Sequence, residues 1–157
     1  GFVIRDAYKR DCTLIVDFIK KLADYEKFTD LLTVNPKKIR ISIFKKKQAR
    51  CVIGEYEGEP VCFSVFFSNY SVLTGQANMH IEALFVPLKY RGNGFGSATL
   101  KCVSTIAYKS GCQRVDWACL KWNTPAINFY LNMGSYPLDD RDIYRLEGDA
   151  LKAIVES

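Results

Sequence analysis

The sequence predicts one mixed α/β domain in which a largely antiparallel sheet is covered by helices on both faces. Three observations predict it. Apolar residues recur at helical spacing in Asp11 to Lys27, three β-rich segments follow one another as a meander between Arg50 and Val86, and strand and helix signals then alternate to the end. A chain of 157 residues, 48% hydrophobic and 25% charged, suits a single core, and no repeat, low-complexity segment or linker divides it. The expectation is a single domain over residues 1–157.

The elements follow in order. Phe2 to Arg5 is a short β-rich segment, and Leu14, Ile15, Phe18, Ile19, Leu22 and Tyr25 then mark the first helix. A second helix starts with Asn35 as cap and Pro36 at the first helical position, running through Ile39, Ile43 and Phe44. Strands are expected at Arg50 to Tyr56, Pro60 to Ser68 and Ala77 to Val86, with EGEP forming the first turn. A helix from Gly96 to Lys109 presents Leu100, Val103, Ile106 and Ala107 on one face, and Gly111 ends it. Arg114 to Leu120 reads as a strand, Asn123 to Met133 as a short helix stopped by Gly134, and Ile143 to Glu147 as a last strand.

Composition narrows the function classes. No apolar run approaches the ~18 residues of a membrane span, and GFVIRDAYKRDC lacks a charged leader followed by an apolar stretch, so secretion and membrane insertion lose support. Six cysteines lie mostly in apolar segments without a C-x-x-C pair and with one histidine, His80, which points to buried thiols in a reducing, cytoplasmic setting and away from zinc. Much of the net charge of +5 sits in Lys37, Lys38, Arg40 and Lys45 to Lys47, a pattern more typical of a solvated face than of a binding patch, although the same field attracts a phosphate-rich small ligand and charge alone does not choose. No basic stripe with interleaved aromatics is present, so nucleic-acid binding ranks last.

The stretch YRGNGFGSATLK joins a strand to a helix. Glycines there let a backbone rich in N–H groups approach a bulky anion at a positive helix end. No G-K-[ST] follows, so it is not a P-loop, and Ser97 stands where the third glycine of a dinucleotide fingerprint would fall. Counted from the arginine it reads R-x-x-G-x-G, at Arg91, Gly94 and Gly96. In its strand-loop-helix setting this resembles the acetyl-coenzyme A pyrophosphate loop of the GNAT N-acetyltransferases.

The resemblance extends beyond the loop. RDAYKRDCTLIVDFIKKLADYEK, HIEALFV, YRGNGFGS and NTPAINFYLNMG occur in the order of the diamine (spermidine/spermine) and thialysine branch of that family. It implies a GNAT-like mixed, largely antiparallel sheet of about seven strands flanked by helices on both faces. It further implies that Leu84, Phe85 and Val86 face the pantetheine arm. Arg91, Gly92, Asn93, Gly94, Phe95, Gly96 and Ser97 would hold the pyrophosphate, and Asn123, Thr124, Pro125 and Ala126 would line the cofactor's other side. A homodimer exchanging C-terminal segments, with Asp142 to Leu146 taking part, is implied on the same ground, and neither metal, membrane nor nucleic acid is.

The chemistry of acetyl transfer assigns the remaining roles. An alkylamine, like a lysine side chain, has a pKa of roughly 10.4 and must lose a proton before it attacks a thioester. The resemblance places Glu82 as the base acting through water and Tyr130 as the acid that eases departure of the coenzyme A thiolate. His80, two residues before Glu82, is a candidate relay, though packing alone also accounts for a lone histidine. A cationic acceptor calls for carboxylates and aromatic faces, and the matching positions are Tyr25, Glu26, Glu82, Asp116 and Asp142. Each of these equally suits an exposed charge or a core tyrosine. Ala83 departs from the diamine enzymes, which carry a second acidic residue after the glutamate, and Tyr144 replaces a tryptophan. Loss of that carboxylate shifts the expected acceptor from a long polyamine toward a shorter amine or a lysine-like amino acid. A peptide N-acetyltransferase and a noncatalytic acyl-CoA-binding module stand as alternatives.

Overall fold

The computed structural model describes residues 1–157, which form two compact units, Gly1–Ala118 and Cys119–Ser157. The first unit holds β1 (Phe2–Asp6), α1 (Cys12–Glu26), α2 (Pro36–Ile39), β2 (Arg50–Tyr56), β3 (Glu59–Ser71), β4 (Gln76–Phe85), α3 (Phe95–Lys109) and β5 (Val115–Trp117). Asn35 caps α2 by accepting a 2.8 Å hydrogen bond from the Lys38 amide, with Pro36 in the first turn as the sequence predicts. A π-helical segment, Arg40–Lys45, continues α2. The lysines of this region are exposed, the solvated face their spacing suggests.

The sheet has five strands in the order β1-β2-β3-β4-β5. The first three pairings are antiparallel and β4-β5 is parallel. A two-residue turn joins β2 to β3, with Glu57 at φ 51° and Gly58 at φ 82°, the backbone hand that suits the twist of a hairpin. Cys51, Ile53, Phe63 and Phe85 pack with Ile15 and Phe18 of α1 on one face. On the other face Cys62 Sγ lies 3.3 Å from Thr99 Oγ1 of α3, and Phe2 stacks on Phe95 at 4.6 Å. Helices on both faces explain why β2 buries four successive residues, Cys51 to Gly54, instead of alternating.

An ion pair fixes the entry to α1. Arg5 Nη1 and Nη2 donate to the two Asp11 carboxylate oxygens at 2.8 and 3.0 Å, and the Tyr8 amide donates to Asp11 at 2.7 Å. The hydrogen bonds from Arg5 hold the Asp11 carboxyl below the usual carboxylate range against the opposing effect of its burial.

The second unit holds α4 (Thr124–Asn132) and α5 (Gly148–Glu156). Three expectations are corrected. The sheet has five strands rather than about seven. β5 covers only Val115–Trp117 of the expected Arg114 to Leu120. Ile143 to Glu147 is irregular chain, because it pairs with no strand of this sheet. The final helix α5 has no counterpart among the predicted elements.

Candidate active site

The centre of the first unit's site is a defect in β4. β3 and β4 pair Val65 with Ala83 and Phe66 with Ile81, so Glu82 is the extra residue of a β-bulge. A bulge bends the strand and re-aims a side chain, and the Glu82 carboxylate is accordingly 66% exposed although its neighbours Ile81 and Phe85 are buried. Ser64, fully buried on β3, donates a 2.7 Å hydrogen bond to the Ala83 carbonyl and so pairs an acceptor beside the bulge. His80 Nε2 lies 3.5 Å from Glu82 Oε2, and the imidazole ring sits 5.2 Å from the Phe67 ring.

The ladder between β4 and β5 reaches only from Met79–Val115 to Ile81–Trp117. Beyond it the β5-facing edge of Glu82 to Phe85 carries no strand partner, the kind of edge along which an extended ligand can add. Asp116 stands opposite His80 in that short ladder. Leu84 and Phe85 belong to the open stretch, and Val86 follows it.

From Val86 the chain turns through Leu88–Tyr90 into the glycine loop. Gly92 and Gly94 take φ 81° and 80°, in the left-handed region. A Cβ at either position would meet no atom within 4 Å, so backbone hand rather than crowding selects glycine, and the loop surface is open to a ligand. Asn93 Nδ2 donates to the Tyr90 and Arg91 carbonyls at 3.0 and 3.4 Å, which braces the turn. Gly94 then caps α3 without any side-chain hydrogen bond, leaving the amides of Phe95, Gly96 and Ser97 at the helix's positive end uncapped by side chains. An open loop, an uncapped amide end and an unpaired strand edge together fit a pantetheine-linked pyrophosphate.

Arg91 is held differently from a simple phosphate ligand. Its Nε donates to the Val86 carbonyl at 2.8 Å, and its guanidinium carbon lies 4.4 Å from the Tyr25 ring centroid and 5.7 Å from that of Phe85. Tyr25 and Phe85 themselves lie 6.3 Å apart, centroid to centroid. Next to Tyr25, burial pushes the Glu26 carboxyl above the usual carboxylate range, and the nearby charge of Glu82 adds to the rise. Tyr25, Glu26, Glu82, Phe85 and Arg91 thus converge from the C-terminus of α1, the bulge and the loop.

In the second unit, Asn123 precedes α4, its carbonyl accepting from the Ile127 amide and its own amide donating to Leu120, both at 3.0 Å. Thr124, Pro125 and Ala126 form the first turn of that helix, with Pro125 where its missing N–H costs nothing. Tyr130 lies further along α4, its ring 5.3 Å from Phe129 in an edge arrangement. The Ser135 hydroxyl donates to the Tyr130 carbonyl at 2.6 Å. Asp142 is exposed in the irregular segment before α5.

Sequence reasoning did not find Ser64 or the stacking of Arg91 on Tyr25. For Ser64 a signal existed: a single hydroxyl inside the apolar run VCFSVFF. For the stacking none did, since no periodicity links residues so far apart in the chain.

The chain is similar to known proteins in sequence and in fold. Residues 14–134 match the model of the acetyltransferase (GNAT) family. The chain is 31% identical to thialysine N-epsilon-acetyltransferase of Sus scrofa over 97% of this chain and 96% of that protein. It is 41% identical to L-ornithine N5-acetyltransferase of Arabidopsis thaliana over 59% of this chain and 40% of that one. Among solved structures, an integron cassette protein of V. cholerae superposes with a TM-score of 0.82 at 24% identity, covering 99% and 98% of the two chains, and shows the same fold.

Proposed function

The chain belongs to the acetyltransferase (GNAT) family, and from that premise we propose that it acetylates the side-chain amine of a small lysine-like amino acid or short diamine, with Glu82 as the base. It is an N-acetyltransferase, and acetyl-CoA is its acetyl donor, supplying the acetyl group as an activated thioester. The observation that carries the acceptor assignment is the bulged, exposed Glu82 at the start of the open β4 edge, electrostatically coupled to the partly buried Glu26.

Two carboxylates attract an ammonium, and an entering cation offsets both the burial of Glu26 and the Glu82 charge that adds to its raised carboxyl. Glu82, the more exposed of the two, then accepts the amine proton directly or through one water. Tyr130 serves as the acid at the leaving sulfur, a role supported by its place in NTPAINFY. Relatives named for thialysine and for ornithine both act on amino acids with a side-chain amine, and the small, uncharged Ala83 agrees with an acceptor of that size.

Residues 1–157 are read as one catalytic domain, supported by a family match that runs from 14 to 134 across both compact units. A homodimer is supported by the exposure of Ile143 and Tyr144, 89% and 93%, in a segment without a strand partner. No helix is long and apolar enough to cross a membrane. All six cysteines are free thiols, which supports a reducing cytoplasmic compartment.

The test is release of free thiol from acetyl-CoA in the presence of thialysine, lysine, ornithine, putrescine and spermidine in turn. The expected order puts the amino acids and the short diamine ahead of spermidine. No release with any of them contradicts the assignment.

A further inference from the structure

We infer that Arg91, although it opens the cofactor loop, is a positioning residue for the acceptor amine: its guanidinium, tied to the end of β4, carries the Tyr25 ring and thereby sets Glu26 against Glu82. The inference rests on the acceptor reading given above.

Arg91 touches both sides of the acceptor site. The hydrogen bond from Nε to the Val86 carbonyl, at 2.8 Å, fixes the plane of the guanidinium at the end of β4. That plane meets Tyr25 at 4.4 Å, well within the ~6 Å range over which a guanidinium and an aromatic face attract. Phe85 lies on the strand just before Val86 and closes the cluster at 5.7 Å.

Tyr25 and Glu26 are the last two residues of α1. Lys27 follows at φ 64°, its amide bonded back to Asp24 at 3.2 Å, so the chain leaves the helix directly after Glu26. Bonds from the Lys27 and Phe28 amides to the Asp24 and Ala23 carbonyls close the helix end, so the orientation of the Tyr25 ring is left to what packs on it. Here the packing on Tyr25 includes Phe85 and Arg91, and both belong to the β4 end of the site. A shift of the guanidinium therefore moves Tyr25 and changes the spacing of the two carboxylates that hold an ammonium.

A phosphate-binding arginine and a positioning arginine respond differently to substitution. Arg91→Lys keeps the positive charge but loses the planar face and the fixed Nε donor. Calorimetry gives two affinities for each protein: coenzyme A alone, and thialysine with the protein saturated in coenzyme A. The expected result is that Arg91→Lys weakens thialysine about tenfold while coenzyme A weakens less than about threefold, and that Arg91→Leu does the same. Adding Tyr25→Leu to either variant is expected to weaken thialysine by much less than the two single losses combined, since both changes remove the Arg91–Tyr25 contact. If Arg91→Leu fails to fold, the lysine variant and Tyr25→Leu carry the test.

Thialysine affinities within about threefold of wild type overturn the inference, as does a loss of coenzyme A affinity equal to the loss for thialysine. A wild-type protein that binds no thialysine overturns it too, since there is then no grip to position. Wild-type binding without thiol release would instead sink the acetyl-transfer assignment, leaving the affinities to decide the role of Arg91.

Discussion

Glu82 Oε2 lies 3.5 Å from His80 Nε2 on the bulged strand, the carboxylate 66% and the imidazole 25% exposed. The bulge leaves the glutamate solvated while the histidine stays partly buried. Glu82→Gln keeps shape and polarity but removes the basic lone pair, so kcat should fall by about 10²-fold while the dissociation constant for coenzyme A stays near wild type. Steady-state turnover with thialysine, alongside calorimetry with coenzyme A, checks both halves. An unchanged kcat removes Glu82 as the base.

Glu26 sets a conflict between stability and binding. Its carboxyl titrates above its unfolded value because of burial and the Glu82 charge. Between the two values the folded state holds a proton that the unfolded chain has released, so ionised Glu26 opposes folding, fully so above the folded value. Glu26→Gln should therefore raise Tm at pH 7, with the advantage fading as pH falls toward the ordinary glutamate value of about 4.3. The same change should raise KM for the amine. Thermal melts from pH 4 to 8 and a KM at neutral pH decide it; a lower Tm at pH 7 contradicts the assignment.

Ser64 braces the bulge from beneath. Removing its hydroxyl takes that donor from the half-buried Ala83 carbonyl, a loss of about 1 kcal/mol. Ser64→Ala should lower the denaturant midpoint by a matching amount and reduce kcat as Glu82 loses its fixed place. A variant as stable and as active as wild type shows that the bulge holds without Ser64.

Tyr130→Phe removes one oxygen from α4 and keeps the ring that meets Phe129. As the acid, Tyr130 should be worth about 10²-fold in kcat, with coenzyme A affinity little changed. Wild-type turnover in the variant takes Tyr130 out of the reaction.

Much of the fold was legible because it depends on short-range chemistry. Arg50–Tyr56 was bounded correctly by its apolar run and the turn at Glu57 and Gly58, and the Asn35-Pro36 pair announced α2. The loop glycines marked a place where the backbone takes a left-handed turn, and Gly92 and Gly94 do so. What stayed hidden depends on pairing between distant segments. HIEALFV reads as an unbroken strand, and only its register against Val65 and Phe66 shows that Glu82 bulges out. Ile143 to Glu147 carries a strand's alternation without a strand beside it, so the pattern misled. In α5, Leu151, Ile154 and Val155 recur at helical spacing, a pattern too short to stand out beside the strand-like residues before it.

The central claim is acetyl transfer from acetyl-CoA to a side-chain amine, and product analysis tests it most directly. Thialysine incubated with the protein and acetyl-CoA should give a product whose acetyl group mass spectrometry locates on the side-chain nitrogen, with one free thiol per amide formed. Acetyl found only on the α-nitrogen, or thiol release that no acetylated amine accompanies, would contradict it.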